Sequence, residues 1–413
     1  MIIGFMTNMF FSTFAFGTCL KPIARRCLIV GMSLLAVSAS HASTPATNTY
    51  AENEMPIVLK GLRTATSHAF NRMTTSIEIC SSGSSTHCHR VDNVMVDTGS
   101  VGLRLQERAL NGFILPAEQS GGQDVAECFS FVGHSNIWGK VRLADVHLGG
   151  LVASNIPVQV ANGSLMRPAD GTCPNYNNDP ASNGTLGIGR GTLEHIGILY
   201  TCDADDCRKL PSGSIPEALR VPNPISRLPK DNDGEIFLIP PATSAISKEL
   251  SGTLIFGVNS AANNKLDPQL TILPLDAGGF FTTQFDGRSY SKSYIDSGTQ
   301  TIGFLDPTLQ TCTNSSTDYC TTKVRNLFMA TLTPNAQSRP IQSFFRIMQE
   351  PGIPGRLYDL YDDIVSAGNS PDNFVWGLPF FLEKRLVLVQ EGKTPEGSRY
   401  TGPFYAFKLY EGD

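Results

Sequence analysis

One pattern, written twice, constrains this chain more than anything else in it. Residues 94–100 read Val-Met-Val-Asp-Thr-Gly-Ser, and residues 294–299 read Tyr-Ile-Asp-Ser-Gly-Thr. Each is an apolar run, mostly branched or aromatic as a strand would have, that ends on a carboxylate followed by a hydroxyl, a glycine and a second hydroxyl. Ninety positions after Asp97 comes Gly187 in "GTLGIG", and 81 positions after Asp296 comes Gly377 in "FVWGLPFF". An acidic turn answered at similar distance by small or apolar residues and a glycine is an internal repeat, and it calls for two related β units.

Strand signals dominate the rest. "TTSIEIC", "KVRLADVHLGG", "NIPVQVA", "GTLIFGV", "QLTILPLD", "FFTTQFDG" and "RLVLVQ" are short branched or aromatic runs bounded by turn residues. The first clear strand begins near Thr74. Short helices are expected around 105–111 and 341–348, and 202–233, rich in Pro, Asp and Ser, reads as a loop with brief turns. At 413 residues the chain is too long for a single sandwich. The expectation is an all-β protein of two lobes, 43–240 carrying Asp97 and 241–413 carrying Asp296.

Lys21, Arg25 and Arg26 precede an apolar run over 27–40, and Ser40-His41-Ala42 offers small residues where a signal peptidase cuts, so residues 1–42 are expected to be a secretory signal. The run is too short for a membrane span. Losing it moves the formal charge from −5 to −8, which disfavours nucleic acid and anionic membranes as partners. Of ten cysteines, Cys19 and Cys27 fall in that segment. The other eight form close pairs, Cys80 with Cys88, Cys202 with Cys207 and Cys312 with Cys320, leaving Cys128 for Cys173. This is one connectivity among those that eight cysteines allow, and it reads as four disulfides of a periplasmic or secreted protein. His87 and His89 beside Cys88 lack a second ligand pair at metal-site spacing, so neither metal nor cofactor is expected. The glycines around Gly187 follow no βαβ pattern, and no Gly-x-Ser-x-Gly elbow points to a serine hydrolase.

The turns themselves carry chemistry. Ser100 and Thr299 are placed to hydrogen-bond their own aspartates, while Gly99 and Gly298 let the backbone turn tightly and aim amides at the same oxygens. Two such carboxyl groups facing one another in low dielectric cannot both be charged, so they hold one proton between them. The pair is then acid and base at once, able to activate a water and protonate a carbonyl oxygen, hydrolysing an amide without a covalent intermediate.

"VMVDTGS" and "SYIDSGT" resemble the two active-site loops of the pepsin-like aspartic proteases, and the similarity extends over most of the mature chain. "KVRLADVHLGG" resembles the strands after that family's flap, "SNGTLGIGRG" the segment closing the first lobe's loop, "GTLIFGVNS" the strand opening the second lobe and "FVWGLPFF" its closing segment. The chain also resembles uncharacterised exported bacterial proteins with the same signature. The resemblance implies a bilobal fold of two β-barrel-like lobes, a polypeptide substrate in the cleft between them, catalytic Asp97 and Asp296, and Thr98 and Ser297 hydrogen-bonding across the interface. An exported, monomeric aspartic endopeptidase is the first expectation. A non-catalytic cell-envelope protein that binds peptide or polysaccharide on the same scaffold is the alternative.

Two departures bear on that choice. The family's flap carries a tyrosine that leans on a tryptophan shortly after the first aspartate. Arg104 occupies that tryptophan's position, and "ECFSFVGHSNIWG" offers Phe129 and Phe131 but no tyrosine. A rebuilt flap would use Phe131 as its lid, with Trp138 filling the space. Only about thirty residues separate the expected cleavage from the strand near Thr74, with Lys60, Arg63 and Arg72 as their few basic groups, so a long inhibitory pro-segment is not expected.

Overall fold

The computed structural model describes residues 50–409 apart from 62–69, 132–135, 170, 174–180, 205, 242–248, 323–326, 335–338, 351–359 and 361. The expected signal, residues 1–42, and Arg63 lie outside the described residues. The described chain is all-β, with barrel-like sheets and only single 3-10 turns such as Glu107–Leu110 and Ile225–Arg227.

The strand Cys88–Asp97 buries Val91, Val94 and Val96 and ends on its aspartate. Gly184–Ile188 lies parallel to it, with Gly187 opposite Asp97. Val101–Gln106, the strand after the turn, runs antiparallel to Gly184–Ile188 and parallel to Leu151–Ala161. Gly187 has to be glycine, because a Cβ there would lie 2.8 Å from the Ser100 hydroxyl. Leu151–Ala161 pairs with Asn136–Leu148, which pairs in turn with Arg72–Cys80, and that strand returns to Cys88–Asp97. Six strands thereby close into a ring, which removes the open edges a flat sheet would leave.

The same four-strand arrangement recurs later in the chain. Arg288–Ile295 leads to Asp296, Phe374–Trp376 lies parallel to it, Ile302–Phe304 is antiparallel to Phe374–Trp376, and Val365–Ala367 is parallel to Ile302–Phe304. Its interior is aromatic. Phe304 stacks on Phe374 at 4.5 Å, and the buried Trp376 donates its indole N–H to Thr283 Oγ1 at 3.0 Å. Each such ring contributes on the order of 2–3 kcal/mol through burial alone.

Three sequence expectations are corrected. Residues 341–348 are not a helix: Ile341–Arg346 is a strand whose Ser343 and Phe345 point inward alternately, paired with Leu327–Thr333. Residues 105–111 are strand as far as Gln106, because Val101–Gln106 is sandwiched between two neighbours, and only one 3-10 turn follows. The first strand is Glu54–Lys60 rather than one near Thr74. Its Met55, Ile57 and Leu59 are buried, and all seven residues pair antiparallel with Glu249–Phe256. Glu249–Phe256 continues into Gly234–Leu238, then Lys384–Val389 and Phe404–Leu409. Cysteines pair as 80–88, 128–173, 202–207 and 312–320, the connectivity read from the sequence.

Candidate active site

Both strand-ending aspartates close their turns in the same way. Asp97 Oδ1 accepts the amide hydrogen of Gly99 at 2.8 Å, and its Oδ2 accepts the Ser100 hydroxyl at 2.5 Å. Asp296 Oδ1 accepts from the Gly298 amide at 2.8 Å and its Oδ2 from the Thr299 hydroxyl at 2.6 Å. Four donors thus aim at two carboxyl groups, and each charge-assisted bond is worth more than the ~1 kcal/mol of a neutral one.

The turns meet. Thr98 Oγ1 accepts the Ser297 amide hydrogen at 3.0 Å, and Ser297 Oγ accepts the Thr98 amide hydrogen at 3.1 Å. The Ser297 hydroxyl in turn donates to the Val96 carbonyl at 2.8 Å, so each turn is held to the strand that feeds the other. The glycines are required by this closeness: a Cβ on Gly99 would lie 2.6 Å from Asp296 Cγ, and one on Gly298 would lie 2.5 Å from Asp97 Oδ1. Asp97 is 4% exposed while Asp296 is half-buried, so the pair opens to solvent on the Asp296 side.

Burial above all, then the carboxylate of Asp296 beside it, pushes the Asp97 carboxyl up to about 8. The Ser100 hydroxyl and the Gly99 amide pull the other way, and a hydrogen bond shared with Asp296 adds to the rise. The pair therefore retains a proton under conditions where isolated aspartates would have lost theirs. Two neighbouring tyrosines are assigned no role by the sequence. Tyr294, half-buried, has its phenol pushed up to about 12 by burial and then by both aspartates. Tyr405 donates its hydroxyl to the Ile295 carbonyl at 3.0 Å, bracing the strand just before Asp296. Tyr294 stands two positions before Asp296 on the strand that carries the motif, whereas Tyr405 comes from Phe404–Leu409, far away in sequence.

The residues assigned to a rebuilt flap separate. Phe131 is half-buried next to the paired strands Gln123–Ser130 and Asn136–Leu148, edge-on to Phe129 at 4.9 Å; residues 132–135 lie outside the described residues. Trp138 does not accompany it. It is fully buried against Tyr200 and the Cys128–Cys173 and Cys202–Cys207 disulfides, with its indole N–H on the Met166 carbonyl, because its side chain points to the opposite face of the hairpin from Phe129 and into a separate small core. Arg104 turns inward, its guanidinium 3.5 Å from the centre of the Phe129 ring.

Metal chemistry finds little support in the donor set. His87 hydrogen-bonds Ser81 and His89 the Ala109 carbonyl. Among the described residues Glu78, Cys80 and His147 gather within ligand distance, but Cys80 is held in a disulfide and offers no thiolate. Cavities of about 350 Å³, lined in part by Phe380 and Lys384, and about 910 Å³, lined in part by Tyr400 and Arg339, are lined by neither aspartate. Among the described residues no helix is long and apolar enough to cross a membrane.

A family model described as "Protein of unknown function (DUF3443)" matches residues 49–407. No curated protein matches the chain.

Proposed function

The chain belongs to the DUF3443 family, and on the geometry of its two turns we propose that it is an exported aspartic endopeptidase whose hydrolytic pair is Asp97 and Asp296. The observation that carries this reading is the reciprocal closure of the two turns, which sets two carboxyl groups against one another with matched donors on their outer oxygens. One carboxylate takes a proton from a water held between them as the water's oxygen attacks the scissile carbonyl carbon. The other, protonated, gives its proton to the carbonyl oxygen, producing a neutral gem-diol. Collapse of the gem-diol breaks the C–N bond: one carboxyl group delivers its proton to the departing nitrogen while the other carboxylate takes a hydroxyl proton from the gem-diol as the C=O re-forms, so the pair ends with the single proton it began with.

In this reading the molecule is a monomer of two pepsin-like lobes, with the polypeptide in the cleft above the aspartates. Residues 43–240 and 241–413 divide it only approximately. Gly234–Leu238 is paired between Glu249–Phe256 and Lys384–Val389, and Glu54–Lys60 is joined to Glu249–Phe256, so the seam is a shared sheet. Four disulfides fit an oxidising compartment.

The test is hydrolysis of unfolded protein by the mature chain from acid to neutral pH. Activity is expected to be blocked by a statine-type mimic of the gem-diol and to fall by at least about 10³-fold in Asp97→Asn and in Asp296→Asn. The burial of Trp138 away from the flap favours a second reading, a peptide- or polysaccharide-binding protein without catalysis. Binding of either ligand, unchanged by both substitutions and with no cleavage at any pH, would select it.

A further inference from the structure

Immediately beyond the first aspartate's turn lies a buried cluster of charge that the proposed reaction does not use. Arg104 is 1% exposed. One amino group of its guanidinium donates to the Val101 carbonyl at 2.6 Å and, more loosely, to the Gly102 carbonyl at 3.4 Å. Gly102 has φ +103°, a conformation that side-chain-bearing residues rarely adopt, and a Cβ there would sit 2.5 Å from Val221 and 3.1 Å from Arg104 Nη1. The arginine thus caps carbonyls on the two residues that follow Ser100. The flat of the same guanidinium lies on Phe129, and its other amino group stands 3.6 Å from Glu127 Oε2, beyond hydrogen-bond reach. Phe129 and Glu127 both belong to Gln123–Ser130, the first strand of the hairpin.

Glu127 has a carboxyl partner of its own. A Cβ on Gly197 would lie 2.3 Å from Glu127 Oε1 and 2.7 Å from Glu194 Oε2, so the two acids face one another across that glycine. Glu194 accepts the amide hydrogens of Ile196 and Gly197. Both glutamates are almost fully buried.

We infer that Arg104 is a positioning residue that ties the turn carrying Asp97 to the hairpin of Gln123–Ser130 and Asn136–Leu148, with the facing carboxyl groups of Glu127 and Glu194 as its pH-sensitive counter-charge. Arginine suits the task because its planar group stacks on an aromatic ring and donates in several directions at once. The charged groups that bear on Glu127 are Arg104 from Val101–Gln106, Glu194 from the loop after Gly184–Ile188, and Arg220 after the turn Glu217–Leu219. Leu151–Ala161 contributes only the amide of Gln159, which donates to the Glu127 backbone carbonyl at 2.8 Å, and Ile198–Cys202 brings uncharged Leu199 opposite Glu127. Burial first, and Glu194 in addition, raise the Glu127 carboxyl to about 8 against the pull of both arginines. Below that pH the pair keeps a proton; above it two carboxylates face one another, and the hairpin loosens from the turn.

The experiment measures amide hydrogen exchange and peptide hydrolysis side by side, at pH 5 and pH 9, for the mature chain, Arg104→Lys, Arg104→Met, Glu127→Gln and the double variant Arg104→Met with Glu127→Gln. The double variant leaves no unpaired buried Glu127 charge, so it keeps the test open where Arg104→Met alone fails to fold. Loss of exchange protection confined to residues 123–131 and 101–103 is expected in Arg104→Met and in the double variant, with partial protection in Arg104→Lys. Glu127→Gln is expected to hold its protection at pH 9, where the unmodified chain loses it. The hydrolysis arm rests on the proposed function: kcat/KM is expected to fall about 10- to 100-fold in the arginine variants, with the alkaline limb of the rate profile shifted in Glu127→Gln. Should the unmodified chain hydrolyse nothing, the exchange arm still decides the inference. Unchanged protection of both segments in the folded arginine variants, or a Glu127→Gln profile that follows the unmodified chain's at both pH values, overturns it.

Discussion

Asp97 is controlled by one hydroxyl that can be removed without disturbing the backbone. The Ser100 side chain favours the charged form of that carboxyl, so Ser100→Ala is expected to raise its pKa further and to move the alkaline limb of hydrolysis to higher pH. A rate profile taken from pH 3 to 10 measures the shift; a limb moving to lower pH would contradict the assignment. At Gly298 even a methyl group has no room, lying 2.5 Å from Asp97 Oδ1, and Gly298→Ala is expected to lose about 100-fold in kcat/KM by parting the carboxyl groups. Circular dichroism then separates displacement from unfolding. The partners of each aspartate could be read in the sequence because each hydroxyl lies three positions from its own carboxylate. Glu127 and Glu194 could not, since they meet only after Gln123–Ser130 and the loop beyond Ile188 have folded, and neither sits in a repeated pattern.

Elements were legible where their signal is local. Strands rich in branched residues and bounded by turn residues declare themselves, as "KVRLADVHLGG" does even though a bulge between Ala144 and Val146 breaks its alternation. Glu54–Lys60 carries Pro56 within a short run, and its full-length partner is Glu249–Phe256, so nothing nearby reveals it. In Ile341–Arg346 the adjacent apolar residues Phe344 and Phe345 point to opposite faces, and a pair of neighbouring aromatics resembles a helical stripe as much as a strand. Three disulfides followed from close spacing and Cys128–Cys173 by elimination, and loop length predicts the energetic weight of each. Opening Cys128–Cys173, 45 residues apart, is expected to cost about 4 kcal/mol on loop entropy, against about 2.5 kcal/mol for Cys80–Cys88, eight apart. Denaturant unfolding of the two Cys→Ala double variants gives the ranking.

Across the whole molecule, buried acids set the direction of pH stability. Asp97 and Glu127 hold protons up to about 8 in the folded chain, where unfolded carboxyl groups release them near 4, and burial lifts Glu235 well above its ordinary range as well. Between those limits the folded form binds more protons than the unfolded one, so this contribution is complete below about pH 4 and is lost as the pH rises through 8. Thermal unfolding midpoints are expected to fall from pH 5 to pH 8, and Glu235→Gln to flatten that fall, as scanning calorimetry would record; a rise instead would mean these acids are ionised in the folded state. The strand Glu54–Lys60 has a consequence of another kind. A nascent chain, delivered N-terminus first, makes this strand about two hundred residues before the one that covers its outer edge, a wait of roughly 10–40 s at ordinary synthesis rates. During that interval a chaperone, or passage through a translocation pore still unfolded, has to keep strangers from pairing there.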